Sequence, residues 1–167
     1  MSGRQAVKVS VHFSGGVRFK ELMAKAISPA RINAYKVGWP TDSMYTPDGG
    51  EPISTAAVAE IQEFGNHGNP VGRGAVIPER PFFRMADEKF NVFLRQFVRL
   101  AVRRNMKLDY KDVHFMADKH VQYVRQSIVE FDSPGNSPAT IARKGEDNPL
   151  VETGQMAQDV SYEVTKR

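Results

Sequence analysis

Two long helices are predicted in residues 81–131, which read PFFRMADEKFNVFLRQFVRLAVRRNMKLDYKDVHFMADKHVQYVRQSIVEF. The first is expected to run from about Pro81 to about Arg104, since proline suits the first helical position and apolar residues recur every three or four positions. The apolar residues expected on its buried face are Phe90, Phe93, Leu94, Phe97, Leu100 and Ala101. Such a face indicates a helix that packs against a core along its length.

The second helix is expected to begin after Asp109, which can cap it, with Asp112 in the first turn. Its apolar stripe repeats every three or four residues and consists of Tyr110, Val113, Ala117, Val121, Val124, Ile128 and Phe131. Only residues 105–108 separate the two helices, so we predict that the helices lie antiparallel.

Shorter elements are predicted on either side of this pair. Alternation of apolar and polar residues predicts strands over 7–13, 35–39 and 160–164. Helical spacing predicts short helices over 17–27 and 56–64, and Gly65 is placed to cap the second of these. The fold expected from these elements is α+β, with a small, mostly antiparallel sheet covered on one face by the two long antiparallel helices.

Three long loops are predicted within this single domain of residues 1–167. They cover about 40–55, 66–79 and 133–149, and each exceeds the usual length of about 4–6 residues. Loops of this length are commonly functional, so we expect them to contact partner molecules.

The composition excludes several classes of protein. The chain has 167 residues, 41% of them hydrophobic and 25% charged, and it contains no cysteine. Disulfide frameworks, thiol nucleophiles and cysteine-ligated metals are therefore excluded. No apolar run approaches the 18 or so residues of a membrane span, and no signal peptide is expected, so we predict synthesis in a cytoplasm and no membrane partner.

Positive charge is concentrated in one part of the chain. Residues 84–111 hold eight Lys and Arg against three acidic residues, whereas the whole chain has a net charge of +4. Arg95, Arg99 and Arg103 are expected on the solvent face of the first long helix, where like charges one turn apart repel by about 0.2–0.5 kcal/mol per pair. The stripe indicates either a surface for phosphate or an acidic partner, or a solvated face whose arginine stems cover apolar surface.

Catalytic and metal sites are not indicated. His114 and Asp118 stand one helical turn apart, but no third ligand has a recognisable spacing, so a plain helix surface is the favoured interpretation. The glycine-rich residues 65–74 lack the Gly-Lys-Ser/Thr ending of a phosphate loop. The sequence therefore predicts a protein that is not an enzyme, with no cofactor, no metal and no catalytic residue.

Three blocks of sequence resemble a known family. They are AEIQEFG at 59–65, IPERPFFR at 77–84, and NSPATIARKG at 136–145 followed by PLVETGQM at 149–156. In this order, with a helix pair between the second and third, they resemble the tail-completion (neck, head–tail joining) proteins of tailed bacteriophages and prophages. Relatives of these are often labelled minor tail or virion morphogenesis proteins. The resemblance covers about residues 33–164.

The resemblance implies a structural protein of the virion, made in the host cytoplasm and located in the neck at the head–tail interface. It implies a homo-oligomeric ring of six copies between the head connector or stopper proteins and the tail terminator or tube proteins. Genomic DNA would pass through the lumen without sequence specificity. Two alternatives stay open: a tail-terminator ring, and a nucleic-acid-binding module that uses the basic helix. A small hydrolase is a third, which no set of residues supports.

Six cations are the candidate interface or DNA-facing residues: Arg80, Arg95, Arg99, Arg103, Arg143 and Lys144. Arg80 lies between two prolines that stiffen the chain, where it could bind a carboxylate or a carbonyl. Arg143 and Lys144 are expected at the tip of a polar loop. Thr153 and Gly154 are interpreted as a cap and a turn.

Overall fold

The computed structural model of the chain describes residues 34–46, 50–66, 76–106, 108–145 and 147–165. The predicted strand over 7–13 and the predicted helix over 17–27 lie outside these residues. The elements, in chain order, are β1 (Ala34–Gly38), β2 (Met44–Tyr45), β3 (Ile53–Ser54), α1 (Thr55–Phe64), α2 (Phe82–Arg103), α3 (Tyr110–Val129), α4 (Pro138–Lys144), α5 (Gln155–Gln158) and β4 (Ser161–Thr165). None of the helices in this part of the chain is long and apolar enough to cross a membrane.

Helices α2 and α3 pack against each other and run in opposite directions. At one end the buried Ser127 hydroxyl of α3 donates to the Phe82 carbonyl of α2 at 2.7 Å. Towards the other end the rings of Phe97 and Phe115 are 5.7 Å apart. A capping box at Asp109 and Asp112 begins α3, as the acidic residues there predicted.

Strands β1 and β4 pair antiparallel, with Tyr35 opposite Val164 and Val37 opposite Tyr162. These four side chains belong to the hydrophobic clusters, and Val37 is buried. Strands β2 and β3 form a second, very short antiparallel pair. The predicted mixture of helices with a small antiparallel sheet is thus confirmed, and each sheet has two strands among the described residues.

The buried stripe of α2 differs from the predicted one. Its buried residues beyond the first turns are Phe90, Leu94, Val98 and Ala101. Phe93 and Phe97 are only half-buried, and Leu100 is exposed. The position of α3 decides which residues of α2 are buried. Phe90 stacks on the His120 ring of α3 with centroids 4.3 Å apart, so Phe90 lies at the centre of the contact between the two helices.

His120 is the largest departure within α3. It is buried, and its Nε2 lies 2.6 Å from Asp87 Oδ1, while Nδ1 has no hydrogen-bond partner among the described residues. The predicted apolar stripe of α3 is otherwise buried, except for Tyr110, which is exposed. Burial, together with the charge of Asp87, raises the pKa of Tyr35, whose ring packs edge-on against His120.

The predicted loops contain structure of their own. Residues 138–144, inside the loop expected over 133–149, form helix α4. Ser137 caps this helix, Pro138 begins it, and Gly145 ends it with a left-handed φ of 80°. The hairpin of β2 and β3 lies within the loop expected over 40–55. Of the loop expected over 66–79, residues 67–75 lie outside the described part of the chain.

Gly65 ends α1, as predicted. Its φ is 70°, and a Cβ at this position would lie 2.8 Å from the Ile77 carbonyl oxygen. Pro81, which precedes α2, offers no side-chain cap. The first backbone N–H groups of α2 are capped by a residue of α1 instead. The buried Glu63 carboxylate accepts hydrogen bonds from the backbone N–H groups of Phe83 at 2.8 Å and Arg84 at 3.3 Å.

We predict that Phe90→Ala lowers the free energy of unfolding by about 3–5 kcal/mol, because it removes a fully buried ring from the contact between α2 and α3. The matched control is Val92→Ala on the same helix, whose side chain is exposed and whose replacement changes stability by less than about 0.5 kcal/mol. Urea unfolding followed by circular dichroism measures both. Equal losses in the two variants would contradict the burial pattern.

Candidate interaction groove and cationic helix face

A groove of about 540 Å³ opens between α1, α4 and the segment 149–156. Its lining includes residues of all three sequence blocks, which stand far apart along the chain. The apolar lining residues include Val58, Val76, Ile77, Pro78, Pro149, Leu150 and Met156. We call this feature the interaction groove. Its volume lies in the range of sites that bind small molecules or parts of peptides.

Arg80 holds one side of the groove together through contacts within the chain. It is 6% exposed, and it donates to the carbonyls of Pro134 and Gly135, both at 3.2 Å, and to the Gln62 side chain. Burial lowers the pKa of this guanidinium, and the charge of Asp147 opposes that shift. The expectation that Arg80 could bind a carboxylate or a carbonyl therefore agrees with its bonds to the Pro134 and Gly135 carbonyls, and a role of Arg80 at an interface stays a prediction.

Lys144 has a similar internal role. Its ammonium donates to the carbonyls of Asn148 and Val151, each at 2.6 Å, and so holds the turn that follows α4. This corrects the expectation that Lys144 sits at the tip of an open loop. The reason is helix α4, since its last turn directs Lys144 back onto the chain.

Glu152 joins two walls of the groove. It accepts a hydrogen bond from the Tyr45 hydroxyl at 2.8 Å and from Arg143 Nη1 at 2.6 Å. Burial alone would raise the pKa of this carboxyl, but the two hydrogen bonds and the charges of Arg143 and Lys144 outweigh burial and lower the pKa. Arg143 itself remains exposed, with 57% of its side-chain surface accessible.

One polar side chain in the groove lining has a buried donor atom. Asn136 lines the groove, and its backbone N–H donates to Asp147 Oδ1 at 2.8 Å. Its side-chain Nδ2 is buried and has no hydrogen-bond partner among the described residues. A buried donor of this kind is destabilising unless an acceptor is supplied.

The predicted cap and turn at Thr153 and Gly154 are present. The Gln155 backbone N–H donates to the Thr153 hydroxyl at 3.3 Å, and Gly154 has a left-handed φ of 76°. Gln155 then reaches across the groove and donates from Nε2 to the Met44 carbonyl at 2.7 Å. These contacts position one wall of the groove.

The second candidate surface is the cationic face of α2, formed by Arg95, Arg99 and Arg103. All three are exposed, as predicted, and none forms an ion pair with any residue that the structure describes. Their charges are therefore not neutralised locally within the described chain. This face lies apart from the groove. The residues that line the groove include Arg80, just before α2, but none of α2 itself.

His114 and Asp118, the two residues considered from the sequence as possible metal ligands, lie on α3, and His114 contacts β4. His114 Nδ1 is 2.8 Å from the Tyr162 hydroxyl, and burial, with the nearby Asp118, raises the pKa of that phenol. In the described ranges no group of three His, Cys, Asp or Glu side chains is placed to hold a metal ion.

Comparisons of the chain with protein-family models, with curated proteins and with solved structures find no match.

We predict that Arg80→Ala lowers the free energy of unfolding by about 3 kcal/mol, since it leaves three acceptors in a largely buried place without their donor at about 1 kcal/mol each. The control is Arg143→Ala, which breaks an exposed ion pair and costs less than about 1 kcal/mol. Thermal and urea unfolding compare them. If Arg143→Ala lowered the free energy of unfolding as much as Arg80→Ala, the structural role assigned to the buried Arg80 hydrogen bonds would be refuted.

A pH dependence follows from Glu152. Its pKa in the folded chain is lower than the ordinary 4.5, so ionised Glu152 stabilises the fold above that pH and the contribution is lost as the pH falls through the folded pKa. We expect the stability difference between the wild type and Glu152→Gln to be largest near neutral pH and to close in acid. Urea unfolding from pH 7 to 3 tests this; a difference independent of pH would contradict it.

Proposed function

We propose that the chain is a structural subunit of a phage neck, which completes the tail and joins it to the DNA-filled head as part of a homo-oligomeric ring. In this proposal the helices α2 and α3 cover one face of the β1–β4 sheet, and the loops and the groove provide the contacts with neighbours. The observation that carries it is the convergence of the three resembling blocks on one interaction groove.

The three blocks have structural roles that suit an assembly protein. Glu63, from the first block, caps the helix that the second block begins. Arg80, from the second block, binds the carbonyls just before the third. The residues of the resemblance therefore shape a docking surface, and they do not include a nucleophile with an adjacent base. Surfaces of this kind suit a protein whose work is mechanical.

DNA contact without sequence specificity is the proposed role of the cationic face. Three exposed arginines, spaced by four residues, lie on one helix surface and form no ion pair with the described residues, and arginine is suited to phosphate. In a ring of six copies this face would meet the DNA in the lumen, while the groove would meet neighbouring proteins. The head connector or stopper lies on one side, and the tail terminator or tube lies on the other.

A nucleic-acid-binding module is the second candidate, and the unpaired charges of the cationic face favour it. A free subunit with this function would bind DNA with an affinity that falls steeply with salt. A tail-terminator ring remains the alternative within the virion, and capping of tail tubes in vitro would favour it.

Electron microscopy of a phage with a nonsense mutation in this gene tests the main proposal. We expect DNA-filled heads beside complete, unattached tails. Overlong or ragged tails would indicate a terminator instead. Normal infectious particles would refute a role in the neck.

We predict that the triple variant Arg95→Glu, Arg99→Glu, Arg103→Glu fails to complement that nonsense mutant, because it reverses the charge of the cationic face. In DNA-binding measurements each lost phosphate contact lowers the salt slope by about 0.9, so loss of the three arginines lowers it by up to about 3.

The control for this prediction is the triple Arg→Lys variant at the same positions, which keeps the charge. Both variants are expected to unfold at nearly the wild-type temperature, since none of the three arginines forms an ion pair with the described residues. Full complementation by the glutamate variant would show that the face is merely solvated.

A further inference from the structure

We propose that the interaction groove binds an extended segment of a partner protein, and that this segment places an apolar side chain on the groove floor beside a carboxylate. The proposal deepens the proposed assembly function, on which the identity of the partner as a neck or tail protein rests. The binding chemistry itself follows from the groove. A second copy of this chain and a nucleic acid are treated as alternative occupants.

The floor of the groove suits an apolar side chain. Leu150 and Met156 are buried, Val58 and Ile77 are half-buried, and Val76 at the margin is 78% exposed. Apolar surface that remains accessible in a concave site is where a ligand side chain gains most from leaving water. The cavity, at about 540 Å³, is large enough for one or two side chains of a peptide.

The wall of the groove requires a hydrogen-bond acceptor. Asn136 Nδ2 is buried and unpaired among the described residues, so a bound segment would reach this donor once the Asn136 side chain turns towards the groove. A peptide carbonyl offers such an acceptor at regular intervals along an extended segment. Binding would then remove the cost of the unpaired amide, which gives the segment an advantage over a purely apolar ligand.

The charges of the groove favour an acidic segment. Arg80 and Lys144 are satisfied by neutral carbonyls, and neither forms an ion pair with a described carboxylate. These acceptors carry no net charge, so they do not neutralise the two cations. Arg143 is paired with Glu152, so the three cations of the lining face one lining carboxylate. Asp147 acts on Arg80 from nearby, which still leaves an excess of positive charge.

The same features argue against a nucleic acid in this groove. A phosphate backbone would meet the carboxylate of Glu152 at the wall and would leave the apolar floor without a partner. The groove is also held in shape before binding, since Glu152 ties Tyr45 to Arg143 across it and Gln155 ties the wall to Met44. A preformed groove costs a bound segment less ordering than an open loop would.

The test is selection of a random 12-residue peptide display library on the immobilised full chain. The blocking variant is Thr140→Trp, which places a large ring at a residue that lines the groove. The matched control is Ala142→Trp, on the same helix but exposed and outside the lining. We expect enriched peptides with a carboxylate next to an apolar residue, retained by Ala142→Trp and at least tenfold weaker on Thr140→Trp.

A second variant tests the hydrogen bond. Asn136→Leu keeps the approximate size of the side chain and removes its donor, and we expect it to weaken the selected peptide about tenfold. The backbone N–H that bonds Asp147 is kept, and circular dichroism of each variant verifies folding. An unchanged affinity of Asn136→Leu for the peptide would contradict a hydrogen bond from Asn136 Nδ2 to the bound segment.

Four outcomes would overturn the inference: no enrichment, enrichment of basic peptides, enrichment that Thr140→Trp retains, or self-association that Thr140→Trp abolishes. The last would assign the groove to a second copy of the chain. Display uses the isolated chain, so its failure is distinct from failure of the neck function. That function is judged by the heads and tails of the nonsense mutant.

Discussion

The buried guanidinium of Arg80 holds together parts of the chain that are distant in sequence. It bonds the end of α1 through Gln62, precedes α2, and satisfies the carbonyls of Pro134 and Gly135 beyond α3. Those carbonyls would otherwise be left without donors in a largely buried place. The position of α4 depends on this contact, because α4 begins three residues after Gly135. The groove therefore has its shape because one cation is used internally.

Internal use of a cation has an electrostatic consequence. A carbonyl satisfies an N–H as a hydrogen-bond acceptor, but it carries no net charge and cannot neutralise a guanidinium or an ammonium. Arg80 and Lys144 both donate to carbonyls, so these hydrogen bonds leave their charges in place. In the proposed binding of a segment, the two residues would act on a carboxylate through their charge and keep their own bonds. Removing either one would change the shape and the charge of the groove together.

Helix periodicity and capping rules predicted the long helices, the C-terminal end of α1 at Gly65 and the start of α3 at Asp109. Alternation predicted the terminal strand. All of these depend on local sequence. On the predicted buried face of α2, Phe90, Leu94 and Ala101 are buried. Phe93 and Phe97 are only half-buried, because the depth of burial depends on where α3 crosses. Helix α4 was missed although Ser137, Pro138 and Gly145 carry its start and stop signals. Its seven residues are too few for periodicity to show. The convergence of Arg80, Asn136 and Glu152 depends on tertiary contacts, which no local pattern contains.

The length of α2 separates the two candidate surfaces. The helix begins beside the groove, two residues after Arg80, and Arg95 to Arg103 occupy its far half. At about 1.5 Å per residue, the arginines stand about 20–30 Å along the helix from its first residue. This distance exceeds the Debye length of about 8 Å at physiological ionic strength, so the charge on one surface has little effect on the other. In the proposed function, a subunit built this way would hold a protein segment at one end of α2 and contact DNA along the other, and the two contacts would not obstruct each other.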